Sequence, residues 1–378
     1  MKSPSARTKR ILVASVSAGA GHVRAGEALK KWGERNPGVA YIEHRDVLQF
    51  TSSAYKEFYA GSYLRMANSA PELWGYLFWR YERKERDFTQ KILHLVNKLS
   101  TGKFAKYVRE NRFDSVIATH FLAAEILLGE RRHRKYSGKV YVVVTDFGVH
   151  RFWVIPEVDG YFVATEEVRE ELLLRGVPEG RIFVTGIPVL PEFSEPVDRK
   201  AVYKELGFSA DVPTFLIMSG GFGIGDSMKS VVETLASGTG VQIIFICGRN
   251  EKIKTELERL EFPDNVRARI LGFVEDVWKY MEVANVIFTK PGGLTVSEAL
   301  AKSLPILIVN PIPGQEELNS DFLLENGLAL KATSIYSLRS KIRKLLADEP
   351  ILGKIKRAAK EYARPFAGKD IISKVVEL

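Results

Sequence analysis

Short apolar runs that end in glycine-rich or polar loops, each followed by a helix-period segment, recur along this chain. They constrain its fold more than any other feature. RILVASVS (10–17) reads as a buried strand, Gly19, Ala20 and Gly21 break it, and a helix follows through Trp32. Strand-sized runs over 39–47, 114–120, 139–146, 160–165 and 181–189 continue the alternation. The pattern restarts with TFLIMSGGFGIG (214–225) and goes on over 241–248, 267–273, 286–293 and 304–311. Strands alternating with helices predict an α/β chain with parallel sheets covered on both faces. Between the two runs, Pro188, Pro191 and Pro196 fall in a stretch with little periodicity (188–198), which reads as a linker. A chain of 378 residues suits about two domains. The expected division is 1–195, 196–365 and a C-terminal helix over 366–378, which either caps the second domain or crosses back to the first. In sheets of this kind ligands bind at the carboxyl ends of the strands.

Composition narrows the classes. Apolar residues make up 46% of the chain and charged residues 27%, which excludes a disordered or collagen-like chain. No apolar run approaches the ~18 residues of a membrane span. The basic start MKSPSARTKR before ILVASVSAGA imitates a short signal peptide, but the helix pattern that follows favours a working strand–loop–helix element. A single cysteine, Cys247, excludes an internal disulfide and a paired-cysteine metal site, and it suits a reducing, cytoplasmic setting.

Charge is unevenly placed. Residues 1–150 carry 26 Lys/Arg against 14 Asp/Glu, a net +12, whereas 151–378 carry a net −3. A basic first half points to an anionic partner: nucleic acid, an anionic lipid surface or a phosphorylated substrate. Nine aromatic residues crowd the 27 positions from Tyr55 to Tyr81, Trp74 and Trp79 among them, interleaved with Arg65, Arg80, Arg83, Lys84 and Arg86. Such a mixture suits a membrane interface or single-stranded nucleic acid, and equally a helical pair packed on its own domain. No motif in the chain supports nucleic-acid binding.

Four loops carry candidate chemistry. Gly21 and His22 lie where the first strand opens into a helix, and a histidine there suits a general base. Gly220 and Gly221 sit in a second glycine loop able to offer backbone N–H groups to phosphate. Lys290, Gly292, Gly293, Leu294 and Thr295 lead from a strand into a helix whose positive end suits a diphosphate, and Glu298 lies one turn further on, where its carboxylate could accept two ribose hydroxyls. Gln315, Glu316 and Asn319 follow another strand, and their polar groups suit neutral sugar hydroxyls. Each loop also has a plain structural reading as a turn or helix cap.

The ordered set resembles the glycosyltransferases that build glycolipids on diacylglycerol: the plant monogalactosyldiacylglycerol synthases and the bacterial diacylglycerol glucosyltransferases. SAGAGHVRAGEAL (17–29), TDFGVHRFWVIPEVDGYFVATEEVREELLLRGVPEGRIFVTGIPV (145–189), ICGRN (246–250), LGFVEDVWKYM (271–281), TKPGGLTVSEAL (289–300) and PIPGQEELN (311–319) carry the likeness over roughly residues 10–365. It implies a GT-B fold, two Rossmann-like α/β domains facing each other across a cleft. It also implies that the Phe273 backbone meets uracil, and that Gly220, Gly221, Arg249 and the loop from Gly292 to Thr295 surround the diphosphate. Glu298 then holds ribose, while Gln315, Glu316 and Asn319 orient the hexose. Lys290 adds charge opposite the leaving group. His22 is the expected base, with Asp146 as second choice or as the group that orients His22 or His150. Gly21, Trp74, Trp79, His150 and Trp153 are expected on the acceptor and membrane side. Gly26 stands where the family more often has Ala, a difference expected to be harmless.

The resemblance implies partners too: a UDP-hexose co-substrate, diacylglycerol and an anionic membrane surface. UDP-glucose is favoured over UDP-galactose by the order TKPGGLT. No cofactor and no catalytic metal is expected, and the place of work is the cytoplasmic face of the cell membrane, as a peripheral protein. The rival reading is transfer of N-acetylglucosamine to a polyprenyl-linked or other lipid acceptor.

Overall fold

The computed structural model describes residues 8–57, 59, 70–83, 101–155, 157–218, 226–237, 240–347 and 349–378. Gly220 and Gly221, and Phe58, Tyr63 and Arg65 of the aromatic stretch, lie outside the described residues. The chain divides into two compact units. The first takes the chain up to Pro191, with Pro313–Leu318 and Arg364–Leu378; the second is Glu192–Ile312 with Asn319–Ala363.

The first unit is built on six strands: β1 (Lys9–Ser15), β2 (Val39–Asp46), β3 (Ser115–Ala118), β4 (Lys139–Val143), β5 (Gly160–Val163) and β6 (Ile182–Val184). They lie in the order β2-β1-β3-β4-β5-β6, every pair parallel. Apolar runs without polar alternation follow from burial on both faces. In β1 and just beyond it, Leu12, Ala14 and Val16 join one core while Ile11 and Val13 join the other; Val140, Val142 and Val144 divide from Tyr141 and Val143 in the same way around β4. The second unit repeats the scheme with β7 (Thr214–Met218), β8 (Val241–Ile246), β9 (Val266–Leu271), β10 (Val286–Thr289), β11 (Ile306–Val309) and β12 (Ala329–Ala332), in the order β12-β11-β10-β7-β8-β9. Strand β12 is absent from the sequence-based expectation. It is a short edge strand with a lysine at its third position, too brief to register as an apolar run.

Six helices bear on the site: α1 (Ala20–Glu34), α2 (Pro71–Arg83), α3 (Phe121–Arg132), α4 (Gly293–Ala301), α5 (Gln315–Glu325) and α6 (Ala367–Glu377). Helix α6 belongs to the first unit. Its Ile371, Ile372 and Val375 are fully buried beside Leu29 and Trp32 of α1. Each such side chain stabilises by roughly 1.5–3 kcal/mol, so the C-terminus is integral to the first core. Trp32 is held from two further sides: its Nε1–H donates to the Val189 carbonyl at 3.0 Å, and Gly368 lies so close that a Cβ there would meet the ring at 2.2 Å. The proline-rich stretch is likewise packed rather than loose, with Val189, Leu190 and Phe193 buried. The boundary between units falls at Pro191/Glu192, four residues before the expected 195/196.

Gly26 is not an idle departure. A Cβ at this position would meet His44 Nε2 at 2.4 Å, and that nitrogen is engaged with Ser15 Oγ at 2.8 Å. In this chain the histidine of β2 occupies the room that alanine would need. Gly26→Ala gains helix propensity but displaces His44 from Ser15. A double-mutant cycle of Gly26→Ala with His44→Ala should therefore show a coupling of about 1 kcal/mol or more in denaturant unfolding; additive effects would sink this account.

Candidate active site

The parallel sheet of the first unit brings the ends of β1, β3 and β4 to one edge. One buried residue, Thr119, ties them together. Its N–H donates to the Ala14 carbonyl at 3.0 Å, its hydroxyl donates to the His22 carbonyl at 2.9 Å, and its own carbonyl stands 2.8 Å from His22 Nδ1. Asp46, at the end of β2, fixes the loop from the other side, accepting from Ser17 N at 3.1 Å and Leu48 N at 3.0 Å. The Ser17 hydroxyl is buried in that loop without a partner among the described residues.

His22 stands in the first turn of α1, which opens at Gly19 without a side-chain cap. A carbonyl can only accept, so Nδ1 must carry the hydrogen; the Thr145 hydroxyl, 3.0 Å away, accepts from the same N–H. The tautomer is thereby set and the Nε2 lone pair is left to take a proton. The ring packs edge-on to His120 at 4.8 Å between centroids and 6.2 Å from Trp153. Desolvation there brings the His22 pKa down to about 4, against the raising effect of the Thr119 carbonyl.

Asp146 follows β4 and is half-buried. Thr119 and Thr145 hold His22, and His150 accepts at Nδ1 from Phe152 N at 3.3 Å and donates from Nε2 to the Phe78 carbonyl at 3.2 Å. This corrects the expected place of His150. It is 5% exposed and joins the turn at 151–153 to α2 instead of meeting lipid. Glu82 completes that joint, bonding Arg175 at 2.6 Å and Arg151 N at 2.9 Å. Trp153 is buried as well; it belongs to the wall beside His22 and not to an outer surface. Trp74 and Trp79 are half-buried around Phe78, and the apolar side chains that α2 exposes are Leu73 (53%) and Tyr76 (61%).

In the second unit, β10 runs into Lys290, Pro291 and Gly292, and α4 begins at Gly293 with no side-chain cap, so its first N–H groups face the loop. Lys290, Gly292 and Thr295 are half-buried, Gly293 and Leu294 buried. Glu298 is 3% exposed on the inner side of α4. Asn319 differs from its expected sugar-orienting role: it is fully buried, and its amide donates to the Pro291 carbonyl at 2.9 Å, holding the loop in place. Phe273, 55% exposed just beyond β9, lies under the Arg249 guanidinium at 5.1 Å. Gln315 and Glu316 open α5, both half-buried, in the stretch that counts with the first unit. That stretch is shaped by Gly314, whose φ of +95° favours glycine and whose missing Cβ leaves room for the Phe78 ring; Glu317 closes the turn by accepting from Gly314 N at 2.9 Å.

Residues 22–189 match the family described as monogalactosyldiacylglycerol (MGDG) synthase, and residues 216–364 match glycosyl transferases group 1. The two matches fall one in each half of the sequence, and the chain is similar over nearly its full length to diacylglycerol glycosyltransferases. It is 29% identical over 372 residues to a processive diacylglycerol beta-glucosyltransferase of Bacillus subtilis (strain 168), covering 98% of this chain and 95% of that one. A protein of the same name from Bacillus pumilus is 28% identical over 375 residues, with the same coverage. Among solved structures, MnaA of S. aureus with UDP superposes with a TM-score of 0.65 at 14% identity, covering 97% of this chain and 95% of that one. MurG of Acinetobacter baumannii does so with 0.61 at 15%, covering 98% and 100%. These two likenesses show the fold. The first match begins at His22, just past the β1–α1 loop, and the β10–α4 loop falls inside the second.

The residues that sequence reasoning missed are Thr119, Thr145 and His120. All three stand at strand ends, where ATH and VVT leave an apolar run for polar residues, a signal that marks the edge but not the partner.

Burial also lowers the pKa of His44 to about 4 and pushes those of His120 and His150 down. In the unfolded chain such rings protonate as the pH falls through about 6.5, whereas His22 and His44 stay neutral in the folded state to about 4. Over that window the unfolded state binds more protons, so stability falls as pH falls. His22 and His44 should each cost about 1–2 kcal/mol by pH 5. Melting temperature against pH should drop on the acid side, less steeply in His22→Asn; equal slopes would remove His22 from the account.

Proposed function

We propose that this chain moves a hexose, glucose in the first instance, from a UDP-sugar to the free primary hydroxyl of diacylglycerol at a membrane surface. The anomeric carbon is inverted and the product is a β-glycosyldiacylglycerol. What carries the reading is one coincidence: a histidine held as a single-tautomer base lies in a chain similar over nearly its full length to proteins named for β-glucosyl transfer to diacylglycerol. In the reaction the acceptor oxygen attacks C1 of the sugar, the C1–O bond to the diphosphate breaks, and the hydroxyl proton passes to His22 Nε2. UDP leaves with the electron pair. The uncapped start of α4, with Lys290 beside it, meets the charge that develops there. Glu298 holds ribose, the Phe273 backbone meets uracil, Arg249 meets the diphosphate, and Gln315 and Glu316 face the sugar.

The acceptor side favours a hydroxyl on an apolar body. Trp153 and Phe121 stand beside the His22 and His120 rings, and Phe152 stacks on Phe121 at 5.1 Å. No described helix is long and apolar enough to cross a membrane. We place the protein on the cytoplasmic face of the cell membrane, docked through the exposed Leu73 and Tyr76 and the basic surplus of the first half, which draws anionic lipid.

The test is a labelled-donor assay on vesicles of diacylglycerol and anionic lipid, with UDP-glucose and UDP-galactose in separate tubes. Label should enter a neutral glycolipid from UDP-glucose, and a ladder of bands reports successive transfers. His22→Ala should lower kcat about 10²–10⁴-fold with UDP binding intact; near-normal turnover would rule out the base. The proposal includes no catalytic metal, so EDTA should leave the rate unchanged, and a loss restored by a divalent cation would overturn that part.

A further inference from the structure

We propose that His120 is a second acceptor-site imidazole, whose Nε2–H donates a hydrogen bond to an ester oxygen beside the attacking hydroxyl. The assignment rests on the function proposed above and adds a specificity to it: an alcohol with a neighbouring acyl ester, as opposed to a simple long-chain alcohol or an ether lipid.

Three observations lead there. His120 is 5% exposed, and its Nδ1 accepts from Leu122 N at 3.2 Å as the cap of α3. Accepting at Nδ1 requires the hydrogen of the neutral ring to be on Nε2. That Nε2–H makes no hydrogen bond with a described residue, and it is not among the fully enclosed polar atoms that lack a partner, so a ligand can reach it. A helix cap alone calls for Ser, Thr, Asp or Asn, so the second nitrogen of this ring is the part without a structural use. Its neighbour is the base itself, 4.8 Å away and edge-on at 81°.

The two rings thus hold opposite tautomers. His22 offers a lone pair at Nε2 and His120 offers a hydrogen at Nε2. Burial and the facing His22 keep His120 neutral. It therefore retains its proton throughout the transfer: the hydroxyl proton goes to His22, the sugar–oxygen bond forms, UDP departs with its electron pair, and His120 only holds the glycerol ester. Phe121 at 4.1 Å and Trp153 at 6.2 Å from the His120 ring supply the apolar flank against which an acyl chain begins.

The experiment compares diacylglycerol with a dialkylglycerol of the same chain length, which keeps the hydroxyl and replaces the ester by a weaker ether acceptor. Wild-type protein should show about ten-fold higher kcat/KM for the diacyl lipid, on the order of one hydrogen bond. His120→Asn keeps a cap for α3 but places no donor at the Nε2 position. It should melt near the wild-type temperature and lose most of that preference, mainly through KM. His120→Ser serves the same purpose if the Asn variant does not fold. A preference unchanged in these variants, or absent from wild type, overturns the proposal. His22→Ala should slow both lipids equally, since the base acts on the hydroxyl they share. Wild-type protein that labels neither lipid would instead sink the underlying reading, and the His120 assignment with it.

Discussion

The hydrogen bond from His22 Nδ1 to the Thr119 carbonyl is the contact on which the first half of the site depends. It exists because β1 and β3 run parallel as neighbours, with Ala14 opposite Ala118, so that the residues just past each strand emerge side by side. Thr119 then spends its N–H, carbonyl and hydroxyl on the β1–α1 connection. The Thr145 hydroxyl shares the same N–H, but the carbonyl alone sets the tautomer. A backbone carbonyl at a strand end has little freedom to move, so the tautomer is as rigid as the sheet.

The second unit solves a different problem with the same means. In the proposed reaction it holds an anion rather than moves a proton, and backbone N–H groups at a helix start suit that without a counter-charge that would need desolvating. Asn319, buried and bonded to Pro291, shows how the loop is kept open: a side chain from α5 braces the carbonyl side of the loop, leaving the amide side of α4 uncapped.

Stability and chemistry meet in the histidines. His22, His44, His120 and His150 all lie in the first unit, and burial favours the neutral ring in each. Every one has at least one nitrogen committed to a neighbour: Thr119, Ser15, Leu122 N and Phe78 respectively. In His150 both nitrogens are engaged, and His44 is fixed through Nε2 beneath Gly26. For His22 and His120 one nitrogen remains, and the two remaining nitrogens are of opposite kind.

Eleven of the twelve described strands, the parallel sheets and the glycine turns into α1 and α4 were legible in the sequence, because buried strands need continuous apolar runs and sharp turns into helices need glycine. Those are local demands, met residue by residue. The partners were not legible. Thr119 lies 97 residues from His22 and Thr145 lies 123 away, and only strand order brings them together. The same holds for His44 beneath Gly26, for His150 turned inward to Phe78, and for the C-terminal helix laid against α1. Which residue carries a polar atom is written locally; which atom it faces depends on the register of strands far apart in the chain, and that is decided only when the sheet closes around its core.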